Sequence, residues 1–286
     1  MVQNAITAEK LTYRYGELTA VDDISFRVAE GEILGFLGPN GAGKSTTIKI
    51  LTGQLPPRSG KASILGEDVK KDSPEIQARI GVCFEEKNLY LNMTAVENLS
   101  FFADLFGIKN VNIEGLLHRV GLGDRAGDRV KNYSKGMQQR LMVARSLVNS
   151  PKVLFLDEPT DGLDPVSSQS IREIIKDEAR RGAAVLLTTH DMHEADELSD
   201  RVVFLNEGKI YAMDTPENLK LKHGKRSVRV RFKKNGEIKE QVVALDESST
   251  GEQLKSVVDT EGILTIHTEE ATLEDIFVQM TGRGLK

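Results

Sequence analysis

Ile33-Leu34-Gly35-Phe36-Leu37-Gly38-Pro39-Asn40-Gly41-Ala42-Gly43-Lys44-Ser45-Thr46 runs from a short apolar strand through a glycine-rich loop into a helical stretch, Lys44 to Leu51, which Gly53 ends. Gly38 to Ser45 matches G-x-x-x-x-G-K-[ST] in the strand-to-helix context that the pattern requires. Glycines let backbone N–H groups approach phosphate oxygens, and a helix N-terminus adds partial positive charge. Lys44 then meets β- and γ-phosphate oxygens and Ser45 binds Mg²⁺, with Thr46 beside them in the first turn. Strand, loop and helix in this order indicate an α/β fold.

Before that stretch, Ile6 to Tyr13 and Val21 to Val28 alternate apolar and polar residues, with turns at Gly16 and Asp22-Asp23, and predict an antiparallel β region. After it, Lys61 to Leu65 and Ile80 to Phe84 read as strands. Thr94-Ala95-Val96-Glu97 is a capping box, and Leu99, Phe102, Ala103 and Phe106 then share one helical face, so residues 92–150 are expected to form an all-helical insert. Val153 to Leu156 and Ala183 to Thr189 are continuous apolar strands of a resumed parallel core. Between them Asp164 caps a helix that Pro165 opens. Asp200 to Ile210 reads as one further strand with a turn at Gly208.

The composition becomes basic and polar near Lys222, which sets an expected boundary between a domain of residues 1–221 and an appendage of residues 222–286. Val228, Val230 and Phe232 alternate with basic residues, while Leu273, Ile276, Phe277 and Met280 make a helical stripe, so the appendage is expected to be a small α+β unit. The segment Lys220 to Lys234 is read as an exposed strand with a solvated basic face. No internal repeat is present.

With 39% hydrophobic and 28% charged residues over 286 positions, the chain is globular. Its aliphatic runs are far shorter than the roughly 20 apolar residues of a membrane-crossing helix. No charged segment followed by an apolar core opens the sequence, and the expected compartment is the cytoplasm. Cys83, the single cysteine, sits in an apolar stretch and reads as a buried structural thiol. A net charge of -5 argues against wholesale nucleic-acid binding, although a local basic patch would survive that average, and no nucleic acid is expected as a partner. His118, His193, His223 and His267 show no metal-ligand grouping and are read as structural.

Asp157 ends the apolar strand and suits a carboxylate near the metal; Glu158 follows it, 114 residues after Lys44 (158 - 44). A carboxylate there can orient, or take a proton from, the water that attacks the γ-phosphorus. His190 stands at the C-terminal end of the strand Ala183 to Thr189, the sheet edge where α/β folds bind ligands.

Tyr133-Ser134-Lys135-Gly136-Met137-Gln138-Gln139-Arg140 lies upstream of Asp157, with Ser134 23 residues before it (157 - 134). Ser134 is suited to cap a helix and Gly136 keeps that helix N-terminus open, a second anion site within the chain. This stretch resembles the signature motif, usually LSGGQ, of ATP-binding cassette (ABC) ATPases. The resemblance covers about residues 3–220 and implies a P-loop NTPase ABC ATPase fold with an antiparallel β subdomain and a helical insert. It implies ATP as substrate, Mg²⁺ bound by Ser45 and Asp157, and Gly38, Pro39, Asn40, Gly41, Ala42, Gly43, Lys44, Ser45 and Thr46 as the phosphate loop. Tyr15 resembles the adenine-stacking aromatic, Asp161-Gly162-Leu163-Asp164 the D-loop, and His190 the switch histidine, with Glu158 as catalytic base.

Ser134, Lys135 and Gly136 are implied to meet nucleotide in a dimer, either homodimer or heterodimer with a related cassette. The form of the signature, together with Thr272-Leu273-Glu274-Asp275-Ile276-Phe277, resembles ATPase subunits of two-gene exporters of drugs, antibiotics or ions, whose separate membrane subunit docks near the helical insert. Such a subunit lies on the inner face of the cell membrane. Two positions depart from the family: Glu85-Glu86 stands where a Gln is usual, so that Glu85 would carry the metal contact, and Lys135 replaces the first signature glycine. A soluble ABC ATPase acting on DNA or ribosomes is the alternative; such proteins carry a coiled coil, zinc cysteines or two cassettes, and none is visible. A P-loop kinase or GTPase would leave the Ser134 helix unexplained and would need N-K-x-D, which is absent.

Overall fold

Alternation at the start of the chain produces β1 (Asn4–Tyr15) and β2 (Leu18–Ala29), paired antiparallel around a turn at Gly16, whose φ is +57°. β3 (Ile33–Leu37) is buried at all five positions and leads through the glycine loop into α1 (Lys44–Leu51). β4 (Ser59–Ile64) returns antiparallel to β1, and β5 (Glu67–Asp68) pairs with β4, giving a four-stranded sheet in the order β2-β1-β4-β5. The computed structural model describes residues 3–71, 74–224, 227–234, 237–245, 250–258, 262–269 and 271–282.

After α2 (Pro74–Gln77) and β6 (Ile80–Cys83) comes the insert, made of α3 (Ala95–Leu105), α4 (Ile113–Arg119) and α5 (Lys135–Ser146). The capping box is present: Glu97 N donates to Thr94 Oγ1 at 3.1 Å and Thr94 N to Glu97 Oε2 at 2.7 Å. The insert is not wholly α-helical: 3₁₀ turns at Gly123–Arg125 and Val130–Asn132 and an isolated bridge between Thr94 and Arg129 interrupt it.

β7 (Val153–Asp157), α6 (Pro165–Arg180), β8 (Ala184–Thr189), α7 (Met192–Leu198), β9 (Arg201–Asn206) and β10 (Lys209–Asp214) complete the core. The six-stranded sheet has the order β10-β9-β3-β8-β7-β6, with β9, β3, β8, β7 and β6 parallel. Period-two alternation divides its buried side chains between two faces. Phe36, Phe155, Leu186 and Val203 join the antiparallel region on one side, while Leu154, Leu156, Val185 and Leu187 meet Leu99, Leu117 and Leu141 of the insert on the other. Burial on both faces is what lets these strands be continuous apolar runs. The single strand expected over Asp200 to Ile210 is instead two. Glu207 and Gly208 both have positive φ, +49° and +78°, the backbone of a two-residue hairpin turn that folds β10 back beside β9.

A second compact unit begins at Asp214 rather than at 222. The 221/222 boundary falls inside α8 (Pro216–His223), which belongs to the second unit and packs on its last helix. Asp214 starts it physically: its carboxylate accepts from Thr215 N, Asn218 Nδ2 and Lys222 Nζ and is held well below the usual carboxylate range chiefly by Lys222. β11 (Ser227–Lys234), β12 (Glu237–Ala244), α9 (Thr250–Val258), β13 (Ile263–Glu269) and α10 (Leu273–Thr281) follow. The antiparallel sheet β12-β11-β13 buries Val228, Val230, Phe232 and Val243 with Val257 of α9. Of the basic segment, Lys220 and Lys222 are helical rather than strand, Lys225 and Arg226 lie outside the described residues, and Arg231 and Lys233 are exposed on β11 as expected.

Candidate active site

The phosphate loop owes its course to glycines at two close approaches. A Cβ on Gly38 would stand 2.1 Å from Leu205 O, and one on Gly43, whose φ is +106°, 2.3 Å from Ala20 O. Gly43 is also the N-cap of α1, with no side chain capping and no acidic residue in the first turn, so the free N–H groups there suit an anion. Asn40 and Gly41 form the exposed tip, Pro39 and Ala42 its shoulders, and Ser45 and Thr46 are half-buried in the first turn. Lys44 lies back along the loop: Nζ donates to Gly38 O at 2.6 Å and to Pro39 O at 3.4 Å.

Parallel register brings the acidic residues to the same edge. Asp157 ends β7 opposite Thr188 of β8, and the Thr188 hydroxyl donates to Asp157 Oδ1. Glu158 leaves the strand with φ +50°, a strained conformation for a non-glycine residue. Its carboxylate is hydrogen-bonded on one side and ion-paired on the other. Oε2 lies 3.0 Å from His190 Nδ1 and accepts from His190 N at 3.3 Å, whereas Oε1 has no hydrogen-bond partner among the described residues and forms an ion pair with Lys44 Nζ at 3.5 Å. Burial pushes the Glu158 carboxyl up, against the pull of Lys44 and His190. A carboxylate so placed is a stronger base than an exposed one, and His190 is exposed at the mouth beside it.

Ser134 caps α5 as the sequence implied, accepting from Met137 N at 3.2 Å. Lys135 is exposed, and its carbonyl accepts from Lys87 Nζ at 2.8 Å. Gly136 stands against the D-loop, where a Cβ would come within 3.3 Å of Leu163 Cδ2. Asp164 caps α6 through Ser167 N and Ser167 Oγ at 3.0 and 2.6 Å. Sequence reasoning missed Gln139: buried on α5, it donates from Nε2 to Glu158 O and Pro159 O, each at 3.3 Å. Its position within the signature stretch was the available signal. Thr188 and Glu194 were missed as well.

Tyr15, at the end of β1, is exposed and meets Tyr13 edge-on at 4.9 Å between ring centroids. Glu85 and Glu86 are both exposed in the bend after β6, so burial does not single out Glu85 from its neighbour. No group of three or more His, Cys, Asp or Glu that could hold a metal occurs among the described residues. Mg²⁺ is held by one or two carboxylates together with substrate phosphates, so Asp157 and the Ser45 hydroxyl beside a phosphate loop fit that ion.

The sequence and the fold both have relatives. The ABC transporter family profile matches residues 21–161. The fluoroquinolones export ATP-binding protein of Mycobacterium tuberculosis is 45% identical over 283 residues, covering 98% of this chain and 94% of its own. The chain belongs to the ABC transporter family. It is an ATP-binding, ATP-hydrolysing subunit of that family. The bacitracin transport ATP-binding protein of Bacillus licheniformis is 36% identical over 299 residues and covers 98% of each chain. Among solved structures, an ATP-binding subunit of an ABC transporter superposes with TM-score 0.70 at 30% identity, covering 76% of this ABC subunit and 92% of that chain. The dimeric post-hydrolysis cassette MJ0796 bound to ADP and Pi gives TM-score 0.67 at 26% identity, covering 73% and 98%.

Proposed function

We propose that this chain is the motor subunit of an exporter, dimerising around two ATP molecules at the inner face of the cell membrane and driving a separate membrane subunit. The observation that carries the chemistry is the Glu158 carboxylate, with Oε2 fixed by His190 and Oε1 ion-paired with Lys44 but free of hydrogen bonds among the described residues. In this reading the loop N–H groups of residues 38–46 and Lys44 bind the β- and γ-phosphates, and Tyr15 stacks its face on adenine. Glu158 accepts a proton from the attacking water as the new O–P bond forms, and the bond to the β-phosphate oxygen breaks with its electron pair leaving on ADP. His190 holds the carboxylate and stands over the γ-phosphate. Ser45, Asp157 and Glu85 would hold Mg²⁺, which when bound neutralises charge developing on the phosphate oxygens.

Ser134, Lys135 and Gly136 belong, in this reading, to the site of the partner chain. The open N-terminus of α5, capped by Ser134 with Lys135 exposed at its start, is suited to a γ-phosphate presented from outside the chain. An exposed aromatic and aliphatic cluster, Tyr90, Leu91, Phe101 and Leu105, supports docking of the membrane subunit on the insert. Tyr90 and Phe101 meet edge-on at 4.9 Å, and Arg145 stacks under Phe102 at 4.7 Å, so the cluster is presented on a braced surface. Export and an antibiotic-like cargo rest on the names of the relatives. Glu158→Gln tests the reading: it should bind ATP, lose about 10²- to 10⁴-fold in kcat, and accumulate as an ATP-bound dimer on a sizing column. Parental turnover, or a monomer saturated with ATP, would overturn it.

A further inference from the structure

One carboxylate outside this constellation is as buried as the apolar sheet around it. Glu194, in the first turn of α7, is 1% exposed. Its Oε1 accepts from the Thr160 hydroxyl at 2.6 Å, and Oε2 has no hydrogen-bond partner among the described residues. Carboxylates are seldom left so in a protein interior. Burial pushes the Glu194 carboxyl up, against the pull of the Thr160 and Thr189 hydroxyls.

Those two threonines frame the site. Thr160 follows Glu158-Pro159 in a tight turn, where Asp161 N donates to Glu158 O at 3.2 Å and Leu163 N to Thr160 O at 3.1 Å. Thr189 precedes His190, and its hydroxyl accepts from Asp191 N at 3.0 Å. Asp191 in turn caps α7, accepting from Glu194 N at 3.1 Å. Glu194 therefore joins the turn that follows Glu158 to the turn that carries His190. Glu158 sits at φ +50°, a conformation that persists only where surrounding contacts over-determine it. Gln139 supplies such contacts from α5; Glu194 supplies them from α7.

We propose that Glu194 is a positioning residue for ATP hydrolysis, clasping Thr160 to the His190 turn so that the Glu158 carboxylate stays aligned with His190. The inference rests on the roles proposed for Glu158 and His190. Glu194 itself does not reach the reacting atoms. A leucine would fill its space and leave the Thr160 hydroxyl without an acceptor, whereas a glutamine would keep one oxygen for it.

The test compares Glu194→Leu, Glu194→Gln, Thr160→Val, the Glu194→Leu/Thr160→Val double variant and Glu158→Gln as full chains, measuring kcat per folded molecule and KM for ATP. Misplacing a catalytic group by about 1 Å costs on the order of 10²-fold, so Glu194→Leu and Thr160→Val should each lower kcat by roughly 10- to 100-fold with KM little changed. The double variant should be no slower than the slower single, because both break the same link. Glu194→Gln should recover most of the rate. A merely structural role would reduce the folded fraction without moving kcat per folded molecule. Parental kcat in Thr160→Val overturns the proposal, as do losses that multiply in the double variant; should Glu194→Leu fail to fold, Thr160→Val and Glu194→Gln decide. If Glu158→Gln turns over ATP at the parental rate, the reading of the base has failed and this inference with it. If Glu158→Gln is inactive and the Thr160 and Glu194 variants are not impaired, this inference alone has failed.

Discussion

Gln139→Leu isolates the contact by which α5 holds the Glu158 turn. The amide donates to two carbonyls, but their losses differ. Glu158 O also accepts from Asp161 N at 3.2 Å and keeps that partner, while Pro159 O loses the bond from Gln139. The variant thus leaves about one buried acceptor unsatisfied, a cost of about 1–3 kcal/mol. Both bonds are long, at 3.3 Å, which puts the expectation in the lower half of that range. Leucine is close to glutamine in volume, so no sizeable cavity adds to it. Thermal unfolding should show Tm lower by roughly 2–6 °C. The same loss frees the backbone at Glu158, so kcat should fall with ATP affinity nearly intact. Equal Tm and equal kcat in Gln139→Leu and parent would show that this amide does not organise the turn.

Two further outcomes follow from local geometry. Gly38→Ala forces a Cβ to within 2.1 Å of Leu205 O, a backbone atom of β9, so it should destabilise the first unit by about 1–3 kcal/mol in urea titration and sharply weaken ATP binding measured by equilibrium titration. Cys83 is buried and its thiol is pushed up to about 12 from 9.0, chiefly by burial; at pH 8 its alkylation should therefore run roughly 10³-fold slower than that of an ordinary thiol and recover on unfolding.

What was legible in the sequence was mostly local. The strand-loop-helix around Gly38 to Ser45, the capping box of Thr94 and Glu97 and the caps Ser134 and Asp164 are written within a few residues of where they act. What escaped depends on register between distant segments. Thr188 meets Asp157 because β7 and β8 pair in parallel, and Gln139 and Glu194 reach the Glu158 turn from helices before and after it. No spacing rule exposes such partners; a polar residue on a buried helix face is the only trace. The second unit was read only coarsely, since β12 and β13 carry exposed Ile238, Val242, Leu264 and Ile266 and lack clean alternation. Composition changes near Lys222, whereas the chain divides where Asp214 gathers its hydrogen bonds.

In the proposed dimer each hydrolytic site is shared between two chains, with Lys44 from one and Ser134 from the other. The most direct test of this sharing mixes two inactive variants, Lys44→Ala and Ser134→Arg. In the heterodimer one site loses both residues while the other keeps Lys44 and Ser134 intact. The expected result is that each variant alone is inactive and that mixing restores ATPase activity, approaching a quarter of the parental rate for equal amounts that associate at random and fire independently, on the order of half the chains pairing and one site in two working. Activity that stays at the level of the separate variants at every mixing ratio, with heterodimers confirmed by differential tagging, would contradict the shared site.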